Sequence, residues 1–380
     1  MEKQDINKTV GVITMHRVIN YGSFLQSYAT QCVFEGLGFK CDIIDYLFPN
    51  KWHFDNGIKQ QSMLGKILPD YIYKLGLKAG HRKKIKIENA IKKYLNLSDS
   101  YYHPQELFDN PPLYDIYVTG SDQTWNPKHT KGDSTFLLSF APGKSKKISF
   151  SASIAGNNIS REYKNDFIKY LNKYDNIAIR DSNGNTVMNE LIGKEAKVTL
   201  DPTLMLDRDS WSKFAKNVVP KFNKNKYIVF YLITHSFDVT PYIYELLKQL
   251  QIKTGLNVYS FSDIPESFNI NYTKCSEIGV EHFIELFESS SYVVTSSFHG
   301  TAFAVNFGIP LYSVIDSLDN SDDRQASLLT KLGINNCLVP LNKQFDEIIP
   351  TYNIKEEQGR LNELRYDSIE YLKNALLHNK

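Results

Sequence analysis

The chain has 380 residues, 44 Lys plus Arg against 42 Asp plus Glu, and a formal net charge of +2. That balance argues against a nucleic-acid binder relying on a basic global field, and the length exceeds one ordinary core of roughly 100 to 200 residues, so two domains are expected. The four cysteines, Cys32, Cys41, Cys275 and Cys337, form no CxxC pair, which signals neither a zinc site nor a disulfide framework and fits a reducing cytosol.

The amino-terminal MEKQDINKTV lacks the apolar core of a secretory signal, and no run of roughly 18 apolar residues occurs. A soluble cytoplasmic protein, peripheral at the inner membrane face at most, is expected. Val10 to Met15 reads as a buried strand, HRVINYGS as a loop, and FLQSYATQCVFEGLG as a helix closed by Gly36 and Gly38. CDIIDY is a second strand, so the chain up to Tyr46 is a βαβ unit with parallel pairing and a right-handed crossover. Residues 71 to 93 interleave apolar side chains with lysines around a single acid, Glu88. They read either as a solvated helix face or as a face laid against anionic lipid.

Further strands are expected at YDIYVTG, KKISFSAS, NIAIRD and KVTLDP. DRDSWSKFAKNVVPKFNKNK, residues 207 to 226, is polar and charged and carries Pro220, and reads as a linker. It divides an N-terminal domain, 1 to 206, from a C-terminal one, 227 to 350. The second half repeats the alternation with strand YIVFYLI, helix PYIYELLKQLQIKTG, strand NVYSFS, then HFIELFESS, YVV and a helical spacing from Phe298 to Phe307. Residues 351 to 380 have helical periodicity and could pack across either half.

Four stretches place polar residues just after a strand, where open α/β sheets bind ligands. In HRVINYGS, Asn20, Tyr21, Gly22 and Ser23 precede a helix whose first N–H groups could receive an anion, or they simply cap it. In VTGSDQTWNP, Asp122 could orient sugar hydroxyls or accept a proton, or close an Asx turn, with Gln123 beside it. Arg180 in NIAIRDSNG offers a fork to a carboxylate or phosphate, or pairs with a neighbouring Asp; Asp201 follows in VTLDPTLML. In SSFHGTAF, Ser296, Ser297, His299 and Gly300 stand at a helix entrance, and Arg324 precedes an apolar helix further on.

The ordered set NYGSFLQSYA, YDIYVTGSDQTWN, IAIRDSNG with LDPTLML, and VTSSFHGTAFAVNFGIP resembles the polysaccharide pyruvyl transferase family over roughly residues 8 to 340. One departure is Arg180-Asp181, where that family commonly has Arg-Glu. The resemblance implies an α/β fold of two Rossmann-like domains facing a cleft, GT-B-like, and transfer of pyruvate from phosphoenolpyruvate to a sugar as a ketal. Phosphoenolpyruvate is then a co-substrate, with no further cofactor and no metal. His299 is the implied acid, suited by an unperturbed pKa of about 6.5, and Asp122 the implied base or acceptor-positioning group. Arg180, Arg324, Ser296, Ser297 and Gly300 would bind the donor; Asn20, Tyr21, Gly22, Ser23 and Gln123 would bind a sugar acceptor, with a lipid-linked one suiting a membrane face at 71 to 93. No nucleic-acid partner is expected. The competing readings are a GT-B-like glycosyltransferase using a nucleotide sugar and a non-catalytic carbohydrate-binding relative.

Overall fold

The computed structural model of the chain describes residues 8–50, 53, 79–218, 222, 226–234, 237–318 and 324–377. The chain divides into two compact units, one drawn from Met1–Lys78, Ile87–Met205 and Leu364–Lys380, the other from Ala79–Lys86 and Leu206–Glu363.

In the first, strands and helices alternate as β1 (Thr9–Ile13), α1 (Tyr21–Gly36), β2 (Lys40–Tyr46), α2 (Ala79–Tyr94, counted with this unit from Ile87), β3 (Leu97–Tyr101), α3 (Pro104–Asp109), β4 (Ile116–Thr119), α4 (Pro127–Thr130), β5 (Lys146–Ser149), α5 (Arg161–Leu171), β6 (Ala178–Ile179), α6 (Ser182–Ile192), β7 (Lys197–Val198) and α7 (Pro202–Met205). Five strands pair in the order β3-β2-β1-β4-β5, all parallel. The β6-β7 pair continues this row through single bridges, Ile148 to Asn176 and Ala152 to Ile179. A parallel sheet covered on both faces requires continuous apolar strands. Val10, Val12 and Ile13 meet that need at 0% exposure, and the core gathers around Ile13, Tyr117, Trp125, Phe136 and Met188.

The second unit runs α8 (Arg208–Ala215), β8 (Tyr227–Tyr231), α9 (Tyr242–Thr254), β9 (Asn257–Ser260), β10 (Tyr272–Lys274), α10 (Val280–Glu288), β11 (Tyr292–Thr295), α11 (Phe298–Phe307), β12 (Leu311–Ile315), α12 (Arg324–Leu332), β13 (Leu338–Pro340) and α13 (Ile354–Leu377). Its sheet has the order β10-β9-β8-β11-β12-β13, again wholly parallel. Phe230, Leu247, Val258, Val294 and Val314 lie at its centre. Both sheets therefore place their first and fourth strands side by side, the doubly wound order. At that switch point the crossovers leave in opposite directions, opening a crevice at the carboxyl ends of the strands. The two switch points are β1 with β4, and β8 with β11.

The structure revises one expectation and adds detail to two others. The stretch expected as a linker starts with α8, capped where Asp207 accepts from Ser210 N at 2.8 Å. Trp211 is fully buried there, edge-on to Phe303 at 5.2 Å. Trp211 and Phe214 give an otherwise polar helix a narrow apolar stripe, a pattern easily mistaken for loop; Pro220 lies outside the described residues. The carboxy-terminal α13 supplies residues to both units, through Glu363 to the second and from Leu364 to the first. Of the basic segment, residues 71–78 lie outside the described residues, while in α2 Ile87, Ala90 and Ile91 are buried and Lys86 donates to the Glu277 carbonyl. No helix among the described residues is long and apolar enough to cross a membrane.

Candidate functional site

In the first unit the polar residues after β1, β4, β5, β6 and β7 meet along the carboxyl edge of the sheet. Asp122 bridges Ala152 and Arg180 N donates to Ala152 O at 3.0 Å, so the ends of β4, β5 and β6 stay in register. Asp122 adopts a left-handed φ of 73°, a region in which Asp and Asn are enriched. Its carboxylate accepts from Ser23 Oγ at 2.6 Å and from Gln123 N at 2.8 Å. Gln123 in turn accepts from Asn126 Nδ2 at 2.7 Å. Across the switch point, Thr14 Oγ1 donates to the Ser121 carbonyl at 2.9 Å, and Gln26 Nε2 donates to Thr14 Oγ1 at 2.8 Å. Asn20 is the N-cap of α1 and accepts from Gly22 N at 2.8 Å, while Tyr21 is fully buried in the first turn. The amide that could have met an anion at Gly22 is thus engaged by the cap.

Arg180 lies beside these groups, 5% exposed. Its Nη1 donates to Asp201 Oδ2 at 2.8 Å and its Nε to Asp181 Oδ1 at 3.3 Å. Asp201 also takes Ser121 Oγ at 2.8 Å, Thr203 N at 2.9 Å and Thr203 Oγ1 at 2.7 Å. Asp181 accepts from Ser153 Oγ. Burial would lower the arginine's pKa, but the charges of Asp181, Asp201 and Asp122 more than offset it and raise it above the ordinary value. Of the two roles open to this side chain, pairing with neighbouring aspartates is observed. The reason is topological: β6 and β7 deliver a carboxylate each to either side of the guanidinium.

Behind β1, His16 Nε2 stands 2.9 Å from Asp45 Oδ1, and Arg17 donates to both oxygens of Asp45 at 2.7 and 2.6 Å. This pins the loop that leads to Asn20.

In the second unit, Ser296 joins the two strands of the switch point. Its hydroxyl accepts from Ile233 N at 2.9 Å and donates to Ile233 O at 2.7 Å. Ser297 is the N-cap of α11, its side chain accepting from Gly300 N at 3.4 Å. A Cβ at Gly300 would collide with Thr295 Oγ1 and come within 3.1 Å of Tyr231, so glycine lets the helix start lie directly on β11 and β8. His299, the second residue of α11 and 8% exposed, is thereby carried to the carboxyl end of β11. Arg324, also 8% exposed, opens α12, and Gln325 next to it donates through Nε2 to the Ser296 carbonyl at 3.0 Å. Sequence reasoning grouped Arg324 with SSFHG. It passed over Gln325, Gln26 and Ser153, which occupy DRQAS, FLQSY and FSASI as ordinary polar residues in apolar-rich stretches and become visible only when strand ends are aligned.

Two doubly wound units with hydroxyls, carboxylates and a histidine gathered at their switch points define a GT-B-like α/β enzyme. Two solved structures share that fold. The UDP-GlcNAc 2-epimerase from Neisseria meningitidis is 11% identical, with 98% of this chain and 100% of that chain covered at a TM-score of 0.50. The UDP-forming α,α-trehalose-phosphate synthase from Burkholderia xenovorans is 11% identical, with 96% of each chain covered, also at 0.50. The polysaccharide pyruvyl transferase family model matches residues 20–317, and the chain belongs to that family. The match runs from the cap of α1 past SSFHG, leaving Arg324 and Gln325 beyond its end. No curated protein is significantly similar in sequence.

Proposed function

We propose that the protein transfers pyruvate from phosphoenolpyruvate to two hydroxyls of a sugar in a polysaccharide or lipid-linked precursor, forming a cyclic ketal. The second unit binds the donor and the first the acceptor. The observation that carries this reading is the placement of His299, brought by the close packing of Gly300 to the switch point of the second sheet.

In this scheme His299 gives a proton to the donor's methylene carbon, which becomes the methyl group, and positive charge develops at C2. One sugar hydroxyl attacks C2 and gives up its proton; the C2–O bond to phosphate breaks, and the second hydroxyl closes the ketal. The two hydroxyl protons end on the regenerated acid and on the released phosphate, so the step balances. Asp122, held by Ser23, is the group that relays a hydroxyl proton toward the released phosphate or orients the acceptor. Arg324 at the start of α12 and the N-terminus of α11 supply positive potential for phosphate and carboxylate. Arg180 acts on the acceptor side through the aspartates it orders.

Calorimetric titration of the purified protein with phosphoenolpyruvate, beside UDP-N-acetylglucosamine and other nucleotide sugars, tests the reading. Saturable binding of phosphoenolpyruvate alone supports it. Binding of a nucleotide sugar with no response to phosphoenolpyruvate replaces it with a glycosyl-transfer reading.

A further inference from the structure

Gln325 is 1% exposed and is the second residue of α12, a nine-residue helix. The orientation of its amide is settled by its surroundings. The Ser296 carbonyl, 3.0 Å from Nε2, can only accept, so nitrogen must face it and oxygen must point elsewhere. That oxygen, Oε1, is buried and meets no hydrogen-bond partner among the described residues. A buried acceptor left without a donor lowers stability, and native folds rarely keep one unless a ligand or water completes it.

Its position says where such a ligand would lie. Ser296 is the residue that ties β11 to β8 at the switch point of the second sheet, where doubly wound folds bind ligands. Arg324 precedes Gln325 on the same first turn, and His299 follows Ser296 by one helical turn. The cationic side chain and two helix N-termini favour an anion. A neutral carbonyl oxygen adds something they do not: it repels a fully ionised oxygen and accepts from a protonated one.

We propose that Gln325 is a specificity-determining residue of the donor site, its Oε1 accepting a hydrogen bond from a hydroxyl of the bound ligand. The P–OH of a phosphate group that keeps one proton satisfies this, and so does a sugar hydroxyl. The proposal rests on the reading of the second unit as the donor-binding half. Its chemical consequence is discrimination between phosphate, which retains a proton near neutral pH, and sulfate, which has the same shape and charge type but none. A site built to accept from a hydroxyl rejects the analogue that lacks it.

The test compares the full-length protein with Gln325→Met and with Gln325→Asn, which keeps the amide but withdraws it by one methylene. Inorganic phosphate, sulfate, phosphoenolpyruvate and UDP-N-acetylglucosamine are each titrated at one fixed pH of about 5.5, below the second pKa of about 6 of a phosphate monoester, so that phosphoenolpyruvate also carries a P–OH. In the parent protein phosphate binds more tightly than sulfate. In Gln325→Met phosphate and phosphoenolpyruvate lose about tenfold in affinity while sulfate changes less than about twofold, and Gln325→Asn falls between. A purely structural role would weaken phosphate and sulfate together, and that outcome overturns the proposal. If the phosphate-to-sulfate ratio is unmoved but UDP-N-acetylglucosamine loses about tenfold, the hydroxyl is a sugar's and the inference stands while the phosphoenolpyruvate reading falls. Parent protein that binds phosphate but not phosphoenolpyruvate also sinks that reading and leaves the ratio measurable. Unchanged affinities in both variants, or no binding of any of the four probes, overturn the assignment of Gln325.

Discussion

The Ser23 hydroxyl donates to Asp122 Oδ2 at 2.6 Å, tying the first turn of α1 to the end of β4. Both groups are buried, so the bond fixes where the carboxylate points. Asp122→Asn should leave the turn intact, because Asn tolerates the left-handed φ of 73°. It removes the charge, however, and phosphate release from phosphoenolpyruvate in the presence of acceptor should fall about 100-fold or more. Ser23→Ala should cost about tenfold with the same circular dichroism spectrum. Turnover near the parent rate in both variants would remove Asp122 from the reaction.

Arg180 and Asp201 are 5% and 1% exposed and joined at 2.8 Å. Breaking a buried pair from one side leaves an uncompensated charge, so Arg180→Met should lower the unfolding free energy by about 3–5 kcal/mol. Asp201→Asn also strands either Ser121, which donates to Oδ2, or Thr203, which donates to Oδ1, because the amide keeps one acceptor oxygen. The double variant should lose less than the sum of the two singles. Strict additivity in urea unfolding would mean that the pair is not coupled.

Much of this was legible from the chain alone. The run VGVITM followed by a helix and CDIIDY marks a βαβ unit, and the spacing from Phe298 to Phe307 matches α11 at both ends. Apolar periodicity reports which faces are buried, and strand ends follow from it. What it does not carry is lateral order. Ser121, Ser153, Arg180 and Asp201 belong to four separate loops, and only the pairing of β4 through β7 lines them up. For the same reason Arg180 could be read with equal right as an anion clamp or an ion-pair partner. The α8 segment was illegible for another cause: Trp211 and Phe214 are too few to announce a helix among so many charges.

Asp45 sets the acid limit of the loop that leads to Asn20 and the first turn of α1. Burial alone would push its carboxyl up, but hydrogen bonds from His16, Arg17 and Ser100 prevail and hold it well below the usual carboxylate range. A folded-state value below the unfolded one contributes stability that is present above about pH 4 and is lost as pH falls from there toward the folded value. Asp45→Asn should therefore be less stable than the parent at pH 7 by about 1–3 kcal/mol, and should lose less on going from pH 5 to pH 2. Urea midpoints across that range decide the matter; parallel curves for the two proteins would refute it.

Gly300 and His299 are adjacent, yet their substitutions should separate cleanly. His299 is the reacting acid in the proposed scheme, its ring buried at 8% exposure and edge-on to Phe298; Gln fills a comparable volume there, so His299→Gln should shift the unfolding midpoint little while turnover drops about 100-fold to 10,000-fold. Gly300 contributes no chemistry of its own. Its role is to let α11 start against Thr295 and Tyr231, where any Cβ would overlap the Thr295 hydroxyl. That hydroxyl cannot retreat freely, since it donates to Tyr231 O at 2.6 Å and accepts from Ser297 N at 3.0 Å. Gly300→Ala must instead lift the helix start, with an overpacking cost of about 1–3 kcal/mol. Because His299 rides on that turn, the same displacement should also lower turnover, by about 100-fold for a shift near 1 Å. Loss of activity with full stability in one variant and joint loss in the other is the expected pattern. If Gly300→Ala retained both, close packing of α11 on β11 would not be what brings His299 to the site.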